Sequence, residues 1–340
     1  MSGNRCRVIV TGGAGFIGSN LIRLVLRERP DWEVVNFDLL TYAGNLESLR
    51  DVEDHPHYRF VKGDVADPDA VDRAMAGCRW VLHLAAESHV DRSIEDPGPF
   101  LQTNVIGTRV MLDAARKHGV ERFVQVSTDE VYGSLAPDAP SFTESSPLDP
   151  SSSYSASKAA GDLLARAYFK TFDLPVVITR CSNNLGPFQF PEKLVPLLIR
   201  NALMDRPIPV YGDGMQVRDW IYVDDHCRAL ILALESGRPG EVYNIGGGGE
   251  ITNLDLIKLC LKKIGKPESL ITFVKDRPGH DRRYAMDSRK IQRELGWKAR
   301  YSLAQAVDMT VNWYREHREW VESVVSGEYL EYYRLQYAER

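Results

Sequence analysis

Cysteine is scarce in this chain and never closely paired. Cys6, Cys78, Cys181, Cys227 and Cys260 are scattered through 340 residues with no C-x-x-C spacing, which argues against a zinc site and against a disulfide framework. The eight histidines form no metal-binding cluster either; His55 and His57 flank Pro56 in a loop-like stretch and read as a solvated pair. No apolar run approaches the ~20 residues of a membrane helix, and the polar start Met1-Ser2-Gly3-Asn4-Arg5-Cys6 does not resemble a secretion signal. The expectation is a cytoplasmic chain with no membrane partner. Charge of one sign is also lacking: 42 Lys and Arg stand against 47 Asp and Glu, a net charge of -5, with a pI near 6.0. Nothing global draws such a chain to nucleic acid, so any anionic ligand must be met by a few placed groups. Repeats and low-complexity tracts are absent.

What is present suits a globular protein. With 44% hydrophobic and 26% charged residues, the chain can bury a full core in one large or two moderate domains. Apolar runs at Arg7–Val10, Val34–Phe37, Arg59–Val61, Trp80–Leu84, Phe123–Val126 and Val176–Thr179 read as strands. Between them, helical periodicity marks Phe16–Arg29, Asp69–Met75, Phe100–His118 and Ser153–Phe172. Such alternation implies an α/β fold with a doubly wound parallel sheet of Rossmann type over residues 1–181. Residues 182–340 have shorter elements and more Pro and Gly, and read as a smaller α/β substrate-binding lobe. Strands at Trp220–Val223 and Val242–Ile245 suggest that the chain returns to the main sheet around residues 217–247.

Between the first strand and first helix lies Thr11-Gly12-Gly13-Ala14-Gly15-Phe16-Ile17-Gly18. Glycines at 12, 15 and 18 permit a tight turn, close approach of a pyrophosphate, and close packing of helix on sheet. The helix's unpaired N–H groups then receive the phosphates. Asp38 falls at the end of the second strand, where a carboxylate accepts hydrogen bonds from the adenosine ribose and repels the extra phosphate of NADP. NAD is therefore the expected cofactor. Asp64 and Leu84-Ala85-Ala86 follow the third and fourth strands, at the carboxyl edge where open parallel sheets bind ligands.

Tyr154 and Lys158 are four apart on a predicted helix and share a face. A neighbouring ammonium is expected to lower a tyrosine's pKa from ~10 and make the phenol a usable general base. Ser127 and Thr128 end strand five about a helix's length upstream, and Asp129 and Glu130 follow at once. Hydride transfer needs one acid-base group, so two further carboxylates suggest a second proton-transfer step in one pocket. Mutual repulsion and burial would raise the pKa of one of them and keep it protonated.

These strings carry a resemblance. The chain is similar to the extended short-chain dehydrogenases/reductases, and within them to the dTDP-glucose 4,6-dehydratase family, from the first strand to about Trp297. The most specific strings are Phe37-Asp38-Leu39-Leu40-Thr41-Tyr42-Ala43-Gly44-Asn45, Ala85-Ala86-Glu87-Ser88-His89-Val90-Asp91-Arg92-Ser93, Thr128-Asp129-Glu130, and Arg277-Pro278-Gly279-His280-Asp281-Arg282-Arg283-Tyr284. The resemblance implies that Tyr154, with Thr128 and Lys158, takes the proton of the sugar's 4-hydroxyl as hydride leaves for NAD. Glu130 then removes the hydrogen on carbon 5, protonated Asp129 assists loss of the 6-hydroxyl as water, and hydride returns to carbon 6, so that tightly bound NAD is regenerated. It also implies NAD contacts at Gly12, Gly15, Phe16, Ile17, Gly18, Asp38, Leu39, Thr41, Asp64, Val65, Leu84, Ala85, Ala86, Ser88, Thr103, Tyr154, Lys158 and Asn184. Nucleotide-sugar contacts are implied at Ser88, Thr128, Asn183, Lys193, Leu194, Pro209, Tyr211, Arg218, Asn253, Arg277 and His280, with Arg218 on the phosphates. Leu185 departs from the family pattern, which has Tyr there, and leaves a contact near the sugar open. Helices Phe100–His118 and Ser153–Phe172 are expected to pair across a two-fold axis as a four-helix homodimer interface. Two other functions share these motifs. A nucleotide-sugar epimerase or decarboxylase would not need the Asp-Glu pair, and an idle NAD-binding sensor would lose one of the reacting groups.

Overall fold

Where β-branched and apolar residues run together, the chain forms strands β1 (Cys6–Thr11), β2 (Trp32–Asp38), β3 (Tyr58–Lys62), β4 (Trp80–His83), β5 (Arg122–Thr128) and β6 (Val176–Cys181). These observations come from a computed structural model that describes residues 6–325. Later strands are β7 (Asn183–Leu185), β8 (Ile208–Tyr211), β9 (Val217–Tyr222), β10 (Val242–Ile245), β11 (Glu250–Thr252) and β12 (Ile271–Val274). The first six join β10 in one parallel sheet of order β3-β2-β1-β4-β5-β6-β10. Its register sets Val8 beside Val34 on one side and Trp80 on the other. The strand order reverses between β1 and β4, which opens a crevice at the carboxyl ends of the strands.

Helices cover both faces, as a parallel sheet requires. In chain order they are α1 (Phe16–Glu28), α2 (Pro68–Met75), α3 (Val90–Glu95), α4 (Gly98–Leu101), α5 (Thr108–His118), α6 (Ser153–Phe172), α7 (Leu194–Leu203), α8 (Val223–Ser236), α9 (Asn253–Ile264), α10 (Arg289–Leu295), α11 (Leu303–Glu316) and α12 (Arg318–Val324). On one face Val8, Val10, Leu21, Val25, Leu230 and Leu234 pack together. On the other, Ile9, Phe37, Met111, Phe123, Ala165 and Ile178 do so.

The predicted helix Phe100–His118 is interrupted. A π-helical turn at Gln102–Gly107 separates α4 from α5, and its Asn104 donates to the Glu87 carbonyl at 3.0 Å and to Ser157 Oγ at 2.8 Å. The wider turn is held by these bonds. The other long helix starts and stops where its residues predict. Ser152 caps α6 by accepting from the Ser155 N–H at 3.1 Å, while Ser155 Oγ accepts from the Ser152 N–H at 3.1 Å, a reciprocal box worth about 1 kcal/mol. That cap places Tyr154 in the first turn of α6.

Of the stretch 217–247, β10 joins the main sheet, whereas β9 lies between β11 and β7 in a separate three-stranded sheet. A second core of Leu185, Val195, Ile199, Trp220, Leu256 and Val307 gathers around it. Leu185 is fully buried there, so the residue that departs from the family pattern fills a core position instead of facing the crevice. The C-terminal aromatics also have a place: Phe188 packs against both Trp313 and Trp320, which also touch each other, and Trp320 Nε1 donates to Ser48 Oγ at 3.1 Å. Residues 326–340, assigned to the second lobe, and the polar start at residues 1–5 lie outside the described residues. Among the described residues no helix is long and apolar enough to cross a membrane, and no group of His, Cys, Asp and Glu is placed to hold a metal.

Candidate active site

The β1–α1 turn is shaped by missing side chains. Gly12 has φ +68°, and a Cβ there would lie 2.8 Å from the backbone of Ala85; at Gly18 one would lie 2.2 Å from the Gly12 carbonyl oxygen. Only glycine lets these segments meet. Thr11 Oγ1 accepts from the N–H groups of Leu84 and Ala85, both at 3.1 Å, which fixes the end of β4 against the turn. At the end of β2 the Asp38 carboxylate accepts from Ala14 N at 2.9 Å and Leu40 N at 2.8 Å. All the residues assigned above to NAD, from Gly12 to Asn184, line one cavity of about 360 Å³.

Thr128, Glu130, Tyr154 and Lys158 line the same cavity, and Asp129 is buried beside it at 2% exposure. Thr128 hydrogen-bonds Tyr154 and donates to Asp129 Oδ1 at 3.3 Å; the other Asp129 oxygen is buried with no partner among the described residues. Burial, then the neighbouring Glu130 charge, push the Asp129 carboxyl well above its ordinary range, with Arg218 opposing. Burial raises Glu130 too, but Arg277, Lys193 and Arg218 face it and draw it back. Of the two, Asp129 is therefore the one that holds its proton more strongly.

The expected effect of Lys158 on Tyr154 is not present in the chain alone. Lys158 Nζ donates to the Val126 carbonyl at 2.8 Å, and burial lowers its pKa while Asp162 supports its charge. Tyr154 is pushed well above its ordinary value by burial and then by the Glu130 charge, and the Thr128 hydrogen bond only partly opposes this. A further positive charge in the cavity is needed to make it a base.

Asp129 leads to a stability prediction. Because its pKa is raised in the fold, its contribution to stability is full below the unfolded value near ~3.9 and is lost as pH rises through the folded value. Asp129→Asn should be the more stable protein by about 1 kcal/mol at neutral pH, with the gain vanishing in acid. Thermal midpoints at acidic and neutral pH test this; a gain independent of pH would mean that the buried carboxyl is not the cause.

The residues assigned to the nucleotide sugar are divided. Ser88, Asn183, Lys193 and Leu194 line the cavity, and Lys193 Nζ donates to the Ser88 carbonyl at 2.7 Å. Arg218 is buried over the Tyr284 ring at 4.2 Å and donates to the Asp281 carbonyl at 2.9 Å. Asp91 gathers two more, accepting from Tyr211 Oη at 3.2 Å and from Arg277 Nη1 at 3.4 Å. His280 pairs with Asp276 at 2.6 Å, and burial and then Arg277 lower its pKa to about 4. Pro209, in β8, and Asn253, at the start of α9, do not line the cavity; the Asn253 side-chain oxygen is buried without a partner among the described residues.

Other cavity residues were not foreseen, among them Glu87, Cys181, Phe190 and Glu192. For Cys181 the signal was its place at the end of a central strand. Phe190 and Glu192 belong to a clasp. The Arg92 guanidinium lies 4.0 Å over the Tyr42 ring and donates from Nε to Glu192 at 3.2 Å, Glu192 hydrogen-bonds Tyr42, and Phe190 meets Tyr42 edge-on at 5.7 Å. The loop after β2 and the loop before α7 are thus joined where both border the cavity.

Known proteins resemble this chain in sequence and fold. The family model for GDP-mannose 4,6 dehydratase matches residues 9–310. The dTDP-glucose 4,6-dehydratase of Neisseria meningitidis serogroup B is 50% identical over 95% of this chain and 97% of its own. A crystal structure of the Streptomyces venezuelae dTDP-glucose 4,6-dehydratase, solved with NAD bound, superposes with a TM-score of 0.91 at 51% identity, covering 94% of this chain and 99% of that one. The Thermus thermophilus UDP-glucose 4-epimerase, also solved with NAD, is more distant, at TM-score 0.84 and 31% identity over 92% of this chain and 99% of that one. Half-identical over nearly its whole length to proteins of that kind, the chain belongs to the dTDP-glucose 4,6-dehydratase family of extended short-chain dehydrogenases/reductases.

Proposed function

We propose that the chain is an NAD-dependent dTDP-glucose 4,6-dehydratase, a hydro-lyase that converts dTDP-glucose to dTDP-4-keto-6-deoxyglucose. The observation that carries this reading is the unequal carboxyl pair, Asp129 set to hold a proton and Glu130 faced by three cations, beside Tyr154 and Lys158. The glycine turn fits a dinucleotide, since Gly12, Gly15 and Gly18 line the cavity and the missing side chains at Gly12 and Gly18 let the turn close tightly against Ala85 and the start of α1, and Asp38 is oriented for a ribose by two backbone N–H groups. When bound, NAD supplies a place for the hydride that leaves carbon 4 and returns at carbon 6, and a positive charge that favours the tyrosinate.

The chain's own groups move the protons. Tyr154, supported by Thr128 and Lys158, accepts the 4-hydroxyl proton as carbon 4 becomes a ketone. The ketone acidifies the hydrogen on carbon 5, which Glu130 removes, and Asp129 delivers its proton to the departing 6-hydroxyl so that water is lost. A proton returned to carbon 5 through Glu130 completes the product, and the proton taken up by Tyr154 replaces the one given by Asp129, Thr128 being hydrogen-bonded to both, so that every group returns to its starting state. Arg218, with its planar set of donors, suits the diphosphate, and Arg277 and Lys193 add positive charge beside the sugar.

The test is to supply dTDP-glucose deuterated at carbon 4, with no added cofactor, and locate the label by NMR. Deuterium in a new methyl at carbon 6 supports the dehydratase. Label kept at carbon 4 under an inverted hydroxyl would replace this reading with epimerisation, and an unchanged sugar would overturn it.

Two further parts of the reading concern setting. The protein acts as a homodimer through α5, α6 and the π-turn between α4 and α5, where Leu101 and Leu163 are 54% and 55% exposed and Ile106 and Phe172 are also exposed. Leu163→Arg is expected to yield a monomer by light scattering; an unchanged mass would place the interface elsewhere. All five cysteines are buried free thiols, which suits a cytoplasmic location.

A further inference from the structure

Behind the cavity lies a buried ionic pair that none of the chemistry above uses. Arg180, on β6, is 1% exposed and Asp162, on α6, is fully buried. Arg180 Nε donates to Asp162 Oδ2 at 2.9 Å, and Nη1 donates to Tyr132 Oη at 2.8 Å. The same guanidinium lies 4.8 Å over the Tyr132 ring. Tyr132 in turn donates to Asn244 Oδ1 at 2.8 Å and stacks on Phe142 with ring centroids 4.9 Å apart. Arg180, Asp162 and Tyr132 do not line the cavity. Burying such a pair costs desolvation that an apolar pair would avoid, so its placement calls for a reason.

The reason lies in what each partner carries. Tyr132 closes the short helical turn Asp129–Tyr132, which presents both carboxyl groups. Asp162 stands on α6 one turn beyond Lys158, which is itself one turn beyond Tyr154, and all three are buried on one face. A single guanidinium therefore binds the two elements that must meet in the cavity. The surroundings of Lys158 add a second point. Packed around it are Tyr154 and Asp162 on its own helix, His83 on β4, the Val126 carbonyl on β5 and Cys181 on β6. Burial holds the Cys181 thiol up at about 12 and the His83 imidazole down at about 3, so both are neutral at physiological pH, as is resting Tyr154. Among these neighbours Asp162 is the acidic side chain that supports the Lys158 charge; one of its oxygens is paired with Arg180, and the other, Oδ1, is buried with no hydrogen-bond partner among the described residues.

We propose that Arg180 and Asp162 are positioning residues: Arg180 ties the carboxyl-bearing turn to the tyrosine–lysine helix, and Asp162 keeps Lys158 charged. The proposal rests on the dehydratase reading for the use made of Tyr154 and Lys158, but not for the state of Lys158 itself. Asp162→Asn should lower the titration midpoint of Lys158 by about one pH unit or more, followed by NMR in protein carrying ¹³C-labelled lysine, with Lys158→Met identifying the signal. Because a less charged Lys158 supports the tyrosinate less, the acid limb of kcat/KM for dTDP-glucose should shift to higher pH, and Asp162→Glu should restore both midpoints. If Asp162→Asn merely lowers activity equally at every pH, with the lysine midpoint unmoved, the electrostatic role is overturned. Tyr132→Phe keeps the ring and removes the hydroxyl that Arg180 holds. It should cost about tenfold in kcat with KM and the acid limb unchanged, and an unchanged kcat would overturn the tie. A wild-type chain inactive on dTDP-glucose would defeat the dehydratase reading, while the lysine titration, which needs no substrate, would still decide the role of Asp162.

Discussion

Glu130→Gln should leave a protein that no longer exchanges the carbon-5 hydrogen of dTDP-glucose with solvent, and product formation should fall by about 10²–10⁴-fold. The amide keeps the shape of the side chain and its place in the cavity but cannot accept the proton. In wild type burial raises Glu130 while Arg277, Lys193 and Arg218 oppose the rise, whereas Asp129 is pushed further up by burial and by the Glu130 charge, so Glu130 is the more readily ionised of the two. The experiment is turnover in deuterated water with NMR of the recovered sugar. Wild type should place solvent deuterium at carbon 5, and Glu130→Gln should show neither exchange nor the 6-deoxy product. Persistent exchange in the variant would move the base to another residue and dissolve the division of labour between the two carboxyl groups.

Tyr154→Phe should be as severe, at an earlier step. The ring remains in its contact with Phe100, where the two centroids are 6.3 Å apart, and only the hydroxyl proposed to accept the 4-hydroxyl proton is lost. A fall of about 10²–10⁴-fold in kcat/KM is expected, with NAD content after purification unchanged. The wild-type pH profile follows from the same groups. Tyr154 must lose its proton to act; burial pushes it upward and the positive charge of bound NAD draws it back, so kcat/KM rises as pH climbs from acid values. Asp129 must keep its proton, so activity falls again as pH passes the raised Asp129 value. In Tyr154→Phe the residual rate should lack the acid limb; a retained limb would assign it to another residue.

The features legible in the chain were those carried by neighbours in sequence. Spacing and a serine cap place α6 at Ser153–Phe172, as predicted, and local glycines mark the turn after β1. The π-turn at Gln102–Gly107 was not legible, because the apolar spacing stays helical throughout and the turn is held by distant partners, Glu87 and Ser157. Arg180 sits in a run of strand residues, and its partners Tyr132 and Asp162 gave no local sign of meeting it. The state of Tyr154 could not be read from Lys158 four residues away, since burial and Glu130 decide it. Long-range burial, more than local pattern, sets the chemistry of this site.

The clasp of Tyr42, Arg92, Phe190 and Glu192 has a consequence for how the enzyme relates to its surroundings. The clasp ties together two loops that border the cavity, so on the proposed reading it should slow the departure of a seated dinucleotide and let its stay outlast many catalytic cycles. On the proposed reading each cycle also hands the borrowed hydride back. The protein then works as a sealed redox cell, insulated from the balance of oxidised and reduced dinucleotide around it, and its throughput follows the supply of nucleotide sugar alone.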